Sequence, residues 1–442
     1  MSPGPSRLRG AVVGAGIGGL SAALSLHEVG VEVELFESTS ELRPLGVGIN
    51  LLPHAVRELD ALGLMEDLRK RSVESSLLLY CTKRGQEIWR EPRGLAAGYP
   101  CPQLSIHRGV LQEVLLGAVL DRMGADALHL GRRFIRAFDR RGTCVAEFED
   151  GEVEADFIVA ADGIHSTARA QHHPTEGPLL WNGSLLWRGV ADVAPVLDGR
   201  TMIWAGHPEQ KFVGYPIADL PDGRQQLNFI AELHLPDSTL GSREDWNRRG
   251  VLDDFLPNFE DWAFGWIDVP AVIEAAPETF LFPMVDRDPI PRWTFGRMTL
   301  LGDAAHPMYP IGSNGASQAI LDARVLAGCI RRHGDDIDEA LSRYEGVRRP
   351  ATAAVVLANR GLGPELPMKL VEERAPQGFA DISEVITPEE IMEVTDGYRQ
   401  TAGFSRAALR HGGSLLDEPY PVDVHEPVRA GRSGSRTSNG ST

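Results

Sequence analysis

The first strong pattern along the chain is an apolar run, Ala11-Val12-Val13, that breaks into Gly14-Ala15-Gly16-Ile17-Gly18-Gly19 and continues with helical spacing. A second apolar run, Val31-Glu32-Val33-Glu34-Leu35-Phe36, follows and ends at Glu37. Short apolar runs bounded by glycine predict buried strands, and the order strand, helix, strand, loop, helix up to about Leu68 predicts the opening of a right-handed parallel α/β sheet. Leu77 to Trp89 alternates as a hairpin around Arg84-Gly85. Leu104-Ser105-Ile106 leads into a helix from about Gly109 to Arg122, and Phe134, Val145 and Phe148 suggest a second hairpin turning at Arg141-Gly142. Phe157-Ile158-Val159-Ala160-Ala161 reads as a fully buried strand, which puts Asp162-Gly163 at the ligand-facing end of an open parallel sheet.

Between about Leu179 and Phe282 the pattern changes to separate apolar strands, Leu185 to Val190, Met202 to Ala205, Phe212 to Ile217 and Leu227 to Ala231, with Gly, Pro and Asp turns between them. This predicts an antiparallel sheet inserted in the first domain. Met298-Thr299-Leu300-Leu301-Gly302-Asp303 resumes the α/β pattern, followed by a loop to Gly315, an Ala-rich helix to about Arg331 and another from Ile337 to Asn359. The expected division is a nucleotide-binding domain in three segments, 1–76, 104–178 and 291–360, with a hairpin, 77–103, contributing to an inserted substrate domain, 179–290. A helical extension, 361–429, and a polar Gly/Ser/Arg tail, 430–442, complete the chain.

Composition changes this picture little. The 442 residues can bury more than one core, and a formal charge of -18 opposes a broad basic footprint for nucleic acid or an anionic membrane surface. The local cluster Arg132, Arg133, Arg136, Arg140 and Arg141 reads as a solvated edge. Cys81, Cys101, Cys144 and Cys329 show no metal-ligand spacing and read as free thiols of a reducing compartment, and no apolar run is long enough to cross a bilayer. The expectation is a cytoplasmic enzyme with no metal, monomeric or homodimeric.

The glycine motif carries the chemistry. Gly14 makes the tight turn, Gly16 lets backbone N–H groups approach a pyrophosphate, and Gly19 lets helix pack on strand, while the helix beginning near Ile17 points its positive dipole end at the anion. Glu37 is placed to accept hydrogen bonds from ribose hydroxyls, which favours a ribose without a 2′-phosphate, as in FAD or NAD. Arg108 stands at a helix entrance, where a cation opposes the dipole and needs an anionic partner.

Three blocks together, the glycine motif with Glu37, Ala161-Asp162-Gly163-Ile164-His165-Ser166, and Gly302-Asp303-Ala304-Ala305-His306-Pro307, resemble the FAD-dependent aromatic hydroxylases of the para-hydroxybenzoate hydroxylase type. The resemblance runs from about Leu8 to Asn359. It is strongest to the phenazine-hydroxylase branch, through Arg43 to Asn50, Ser105 to Gly109, Pro283 to Pro289 and Gly315 to Asp322. It implies a Rossmann-like FAD-binding domain with an inserted antiparallel-sheet substrate domain and C-terminal helices.

For this chain it further implies that Gly14, Ala15, Gly16, Ile17, Gly18, Gly19, Glu37 and Arg108 hold the ADP part of FAD, with Ser38 and Phe134 also among the cofactor-binding positions. Gly302 and Asp303 would serve the ribityl chain, and Asp162 and Gly163 would lie near the pyrophosphate and a passing NADH or NADPH. Gly46, Val47 and Gly48 would flank the isoalloxazine, with Pro310, Gly312, Gly315 and Ala316 along its edge. Pro310-Ile311-Gly312-Ser313-Asn314-Gly315-Ala316-Ser317 departs from the family's usual P-x-x-G-Q-G-x-N, moving one glycine and ending in Ser317.

The implied activity is an NAD(P)H- and O₂-consuming monooxygenase that hydroxylates an aromatic or heteroaromatic small molecule, a phenazine-like or aromatic carboxylate of secondary metabolism, through a flavin hydroperoxide. Pro310 and Tyr215 are the catalytic candidates. Tyr215, Trp187, Arg188 and Trp204 are the substrate candidates, Arg188 as partner to a carboxylate. His165 and His306 read as structural more readily than as acid/base groups. A competing reading is an FAD oxidase or dehydrogenase taking hydride directly from an organic substrate, and a third is a flavin-binding sensor.

Overall fold

The computed structural model describes residues 8–43, 46–236, 248–334 and 336–418. The continuous apolar runs form the centre of a six-stranded sheet. Met298–Leu300, Phe157–Ala160, Arg9–Val13, Glu32–Phe36 and Leu128–His129 lie side by side in parallel, and Thr294–Phe295 adds antiparallel at one edge. Val12 stands between Leu35 and Val159, all nearly inaccessible. Helices Ile17–Glu28, Arg108–Met123, Gly315–His333 and Ile337–Arg360 pack around this sheet into one large core. The predicted hairpin around Arg141-Gly142 joins Phe134–Arg140 to Thr143–Phe148.

Gly48 to Asn50, expected within the loop before the second helix, lie in the strand Gly48–Leu51, because Gln103–His107 pairs with it antiparallel and brings in Val73–Ser75 on the other side. The inserted sheet has seven strands in the order Thr279–Asp286, Leu180–Val193, Gln225–His234, Gln210–Asp219, Thr201–His207, Leu77–Cys81 and Glu87–Pro92. It is not wholly antiparallel. Leu77–Cys81 runs parallel to Thr201–His207, since it comes from a distant part of the chain and not through a hairpin from that neighbour.

Alternation along these strands separates two faces. Trp187, Ile203, Phe212 and Phe229 point to one side and pack with Phe255, Phe259 and the helix Val269–Glu274. Met202, Trp204, Val213, Tyr215 and Ile217 point to the other and pack with Met368, Val371 and Ile391 of the C-terminal helices Leu366–Arg374 and Pro388–Thr401. Leu186, Phe282 and Met284 join Tyr309 and Ile311. The Pro388–Thr401 helix begins with a capping box, Thr387 and Glu390 exchanging side-chain-to-backbone bonds. The expected tail, 430–442, lies outside the described residues.

One buried ionic cluster ties the extension to the sheet. Lys211, 3% exposed, bonds Glu232 at 2.8 Å and Glu365 at 2.5 Å. Removing the ammonium leaves two buried carboxylates facing each other, which costs about 3–5 kcal/mol. Lys211→Ala is therefore expected to lower the unfolding free energy by about that amount in urea titration; a loss below about 1 kcal/mol, the value of a surface pair, would show that the cluster is solvated.

Candidate active site

Four chain segments leave the parallel sheet at the carboxyl ends of adjacent strands. Gly14 follows Val13, Glu37 follows Phe36, Asp162-Gly163 lie just beyond Ala160, and Gly302-Asp303 just beyond Leu300. Open α/β sheets bind ligands along this edge.

Gly14 has φ +99°, and its N–H donates to the Phe36 carbonyl at 2.7 Å. A Cβ at Gly19 would stand 1.8 Å from the Gly14 oxygen, and one at Gly18 2.9 Å from Leu301, so these two glycines serve helix packing. Gly16, Gly163 and Gly315 differ, because a Cβ there meets no atom within 4 Å. Ile17 faces the core. The helices that start at Ile17 and Gly315 have no side-chain N-cap bond, which leaves their first N–H groups to an external acceptor.

Glu37 accepts the Ala15 N–H at 2.9 Å on one oxygen and the Thr39 N–H at 2.9 Å and Ser38 hydroxyl at 3.1 Å on the other. Gln112 holds the Ala15 carbonyl at 2.8 Å. Across the sheet edge, Arg108 and Asp303 are both exposed, and among the described residues neither side chain has a hydrogen bond or ion pair. Burial by the surrounding protein nevertheless pushes the Asp303 carboxyl up, against the pull of His306 and Arg108, and pushes Arg108 down, against Asp303. Groups that are open to water yet deep in the molecule line a cleft. Their chemistry, with the empty space above Gly16, Gly163 and Gly315, fits a long, multiply hydroxylated phosphate ligand such as FAD.

Behind Asp303 lies a network that sequence reading did not resolve. Asp322, fully buried, accepts the Gly302 N–H at 3.1 Å, His306 Nε2 at 2.6 Å and Arg348 Nε at 2.7 Å. His306 therefore orients the 302–307 turn, while His165 is exposed.

The 309–316 loop is fixed from two directions. Tyr309 and Ile311 pack on the inserted sheet and leave Pro310 exposed between them. Gly312 and Ser313 both have positive φ, +69° and +59°, and a Cβ at Gly312 would meet the Tyr398 hydroxyl at 2.1 Å. That hydroxyl takes the Asn314 amide at 2.7 Å and donates to Asn359 Oδ1 at 2.7 Å. Ser317, in place of the usual Asn, accepts the Leu52 N–H at 3.2 Å.

Opposite this loop, Arg108 N–H donates to the Val47 carbonyl at 3.0 Å, and Gly46 adopts φ +117° against the Arg108 side chain. Gly48 is held by the inserted sheet. Its N–H donates to Asn228 Oδ1 at 2.7 Å, and its carbonyl accepts the Tyr215 hydroxyl at 2.7 Å and Arg188 Nη2 at 2.7 Å.

These positions correct several expectations. Tyr215 is buried with its hydroxyl committed to Gly48, so it positions a loop and is not a free catalytic group. Arg188 is tied to the same carbonyl and lies over Phe282. Trp187 is on the far face of the sheet, stacked on Phe255 at 5.0 Å, and cannot touch a ligand that meets Trp204. The Phe134 ring packs edge-on to Phe148 in the core. Trp204, 4% exposed, borders a small void of about 20 Å³ beside Met202 and the Gly312-Ser313 turn, room for one water.

Comparison with known proteins shows the family. A profile described as an FAD binding domain matches residues 7–215 and 278–359. The chain is 47% identical over 361 residues to a phenazine 1,6-dicarboxylic acid hydroxylase of Lysobacter antibioticus, covering 79% of this chain and 88% of that protein. It is 34% identical to a 3-amino-4-hydroxybenzoate 2-monooxygenase of Streptomyces cremeus, covering 81% and 87%. The fold resembles a salicylate hydroxylase substrate complex, with a TM-score of 0.72 at 22% identity, covering 94% of this chain and 99% of that one.

The Asp322 network yields a pH prediction. Burial raises the Asp322 carboxyl, but His306 and Arg348 more than offset it, so its pKa in the fold is lowered. A lowered folded pKa contributes stability that is present at neutral pH and lost as pH falls below about 4. Asp322→Asn is expected to lower Tm at pH 7 and to approach the parent as pH drops through that window; a Tm gap independent of pH would contradict the ionic account.

Proposed function

The chain belongs to the FAD binding domain family and is an FAD-dependent aromatic monooxygenase, and from that premise we propose that its substrate is a fused-ring heteroaromatic carboxylate of the phenazine type. The observation that carries this reading is the close likeness to the phenazine dicarboxylate hydroxylase over most of both chains. The Streptomyces cremeus relative is likewise a monooxygenase, which supports hydroxylation over the oxidase reading.

When bound, FAD supplies the redox chemistry, drawing electrons from NADH or NADPH and activating O₂. The protein's part is binding, orientation and exclusion of water. Gly14 to Gly19 and the uncapped Ile17–Glu28 helix would meet the pyrophosphate, and Glu37 would accept the ribose hydroxyls with Ser38 beside it. Arg108 would balance phosphate charge, Asp303 would accept a ribityl hydroxyl, and Asp162-Gly163 would border the nicotinamide's approach. Gly46-Val47-Gly48 on one side and Pro310, Gly312, Gly315 and Ala316 on the other would hold the ring system. The uncapped Gly315–His333 helix would stabilise negative charge on it after reduction.

The seven-stranded sheet, with the hairpin of 77–103, would form the substrate-side wall. Action in the cytoplasm on small molecules, as a monomer or homodimer, belongs to the same proposal; the net charge of -18 favours it over nucleic-acid binding.

Two measurements test this reading. NADH or NADPH should reduce the bound flavin anaerobically, faster with phenazine-1-carboxylate than without; acceleration by a single-ring acid and by no phenazine would overturn the substrate class. Arg108→Gln and Asp303→Asn should each weaken FAD retention about tenfold or more, read by release of flavin fluorescence on dilution.

A further inference from the structure

Strand register puts Arg188 between the two loops that face each other at the cleft. On the Leu180–Val193 strand it lies across from Ile230 on one side and Phe280 on the other. Both of these pack against the cluster that holds Tyr309 and Ile311 of the 309–316 loop. On the opposite side, Arg188 Nη2 donates to the Gly48 carbonyl at 2.7 Å, with the guanidinium 5.6 Å from the centre of the Phe282 ring.

The protein does not balance this charge. Among the described residues, the partners of Arg188 are a carbonyl, the Tyr215 phenol and an aromatic face, with no carboxylate paired to it. Its Nε–H is buried and has no acceptor. Burial pushes the guanidinium down from its ordinary pKa, and so does Arg108. Arg108 stands on the other side of the same turn, its N–H on the Val47 carbonyl and its side chain against Gly46. Arg108 faces Asp303, whereas no acid acts on Arg188. A buried cation without a counter-charge is costly, and its field is screened far less than in water. The Gly48 carbonyl alone does not call for a cation, since the Tyr215 hydroxyl already donates to it at 2.7 Å.

We propose that Arg188 supplies positive charge that stabilises the reduced flavin, and so sets the flavin's reduction potential from behind the strand that begins at Gly48. This rests on the placement of Gly46, Val47 and Gly48 beside the ring system proposed above. Hydride transfer from NADH or NADPH carries two electrons and one hydrogen nucleus, so the nicotinamide gains one positive charge and the ring system one negative charge. Arg188 neither gives nor takes a proton in that step. It acts through its field, which needs no contact, whereas a substrate carboxylate would have to reach an Nε–H that is buried. Arg188 is thus a positioning residue for Gly48 and a fixed charge for the ring.

The test is the reduction potential of the FAD-loaded enzyme, read by equilibration with a reference dye. Arg188→Gln keeps a donor for Gly48 and removes the charge, so it should lower the equilibrium constant for reduction about tenfold or more, about 30 mV for a two-electron couple. Arg188→Lys, which keeps the charge, should stay nearer the parent. Equal falls in the two variants, or no fall in either, overturn the inference. Tyr215→Phe loosens the same carbonyl without changing charge, and a fall as large as that of Arg188→Gln would overturn it as well. If Arg188→Gln does not retain FAD, Arg188→Lys decides. A buried ammonium sheds its proton where a guanidinium does not, so its gap from the parent should widen between about pH 7 and 10, a range over which burial keeps the Tyr215 phenol protonated; a constant gap overturns the inference. If neither Arg188→Gln nor Tyr215→Phe moves the flavin absorbance, the placement of the 46–48 turn falls and this inference with it. If the absorbance moves and the potential does not, this inference alone falls.

Discussion

Everything at the cleft depends on how Gly48 is gripped. The residue has no side chain to spare, since a Cβ would stand 2.6 Å from Asn228 and 2.8 Å from Ile217. Its N–H and carbonyl are both claimed by the inserted sheet, through Asn228, Tyr215 and Arg188. A strand of the nucleotide-binding side is thus hydrogen-bonded to a sheet whose residues are far away in sequence. Two of the three bonds come from groups deep in the protein, where a hydrogen bond faces little competition from water. The distance from the Gly46–Gly48 turn to the opposing wall is fixed by that contact.

On the other side, rigidity is supplied by charge and by a phenol. Asp322 gathers Gly302, His306 and Arg348 behind the 302–307 turn, and Tyr398 gathers Asn314 and Asn359 behind the 309–316 loop. Ser313, a non-glycine in the left-handed region, is a strained residue that these bonds sustain. The cleft is held open by groups that do not line it, an arrangement that lets backbone N–H groups stay aimed at a ligand before it arrives.

The parts legible in the sequence were those written in short spacing. Gly14 to Gly19, Glu37, Asp162-Gly163 and Gly302-Asp303 each follow an apolar run directly, and strand ends in a parallel sheet share one edge, so local order gave their common location. What escaped was long-range. Asn228 is 180 positions from Gly48 and Tyr398 is 84 from Asn314, with no pattern to link them. Strand alternation also says that Trp187 and Arg188 point oppositely without saying which of them meets the Gly48 side, and the structure packs Trp187 on Phe255 on the far face. Phe134 failed for a related reason: an aromatic near a glycine-rich turn can as readily fill the core under it.

The profile match ends at residue 359, whereas the helix Pro388–Thr401 reaches back through Tyr398 to Asn314 of the 309–316 loop. Two homologues can therefore carry identical cofactor signatures and still differ in what braces that loop, because the brace is encoded downstream of the segment by which the family is recognised. Inheritance of the cofactor signature and inheritance of the loop's brace are then separable.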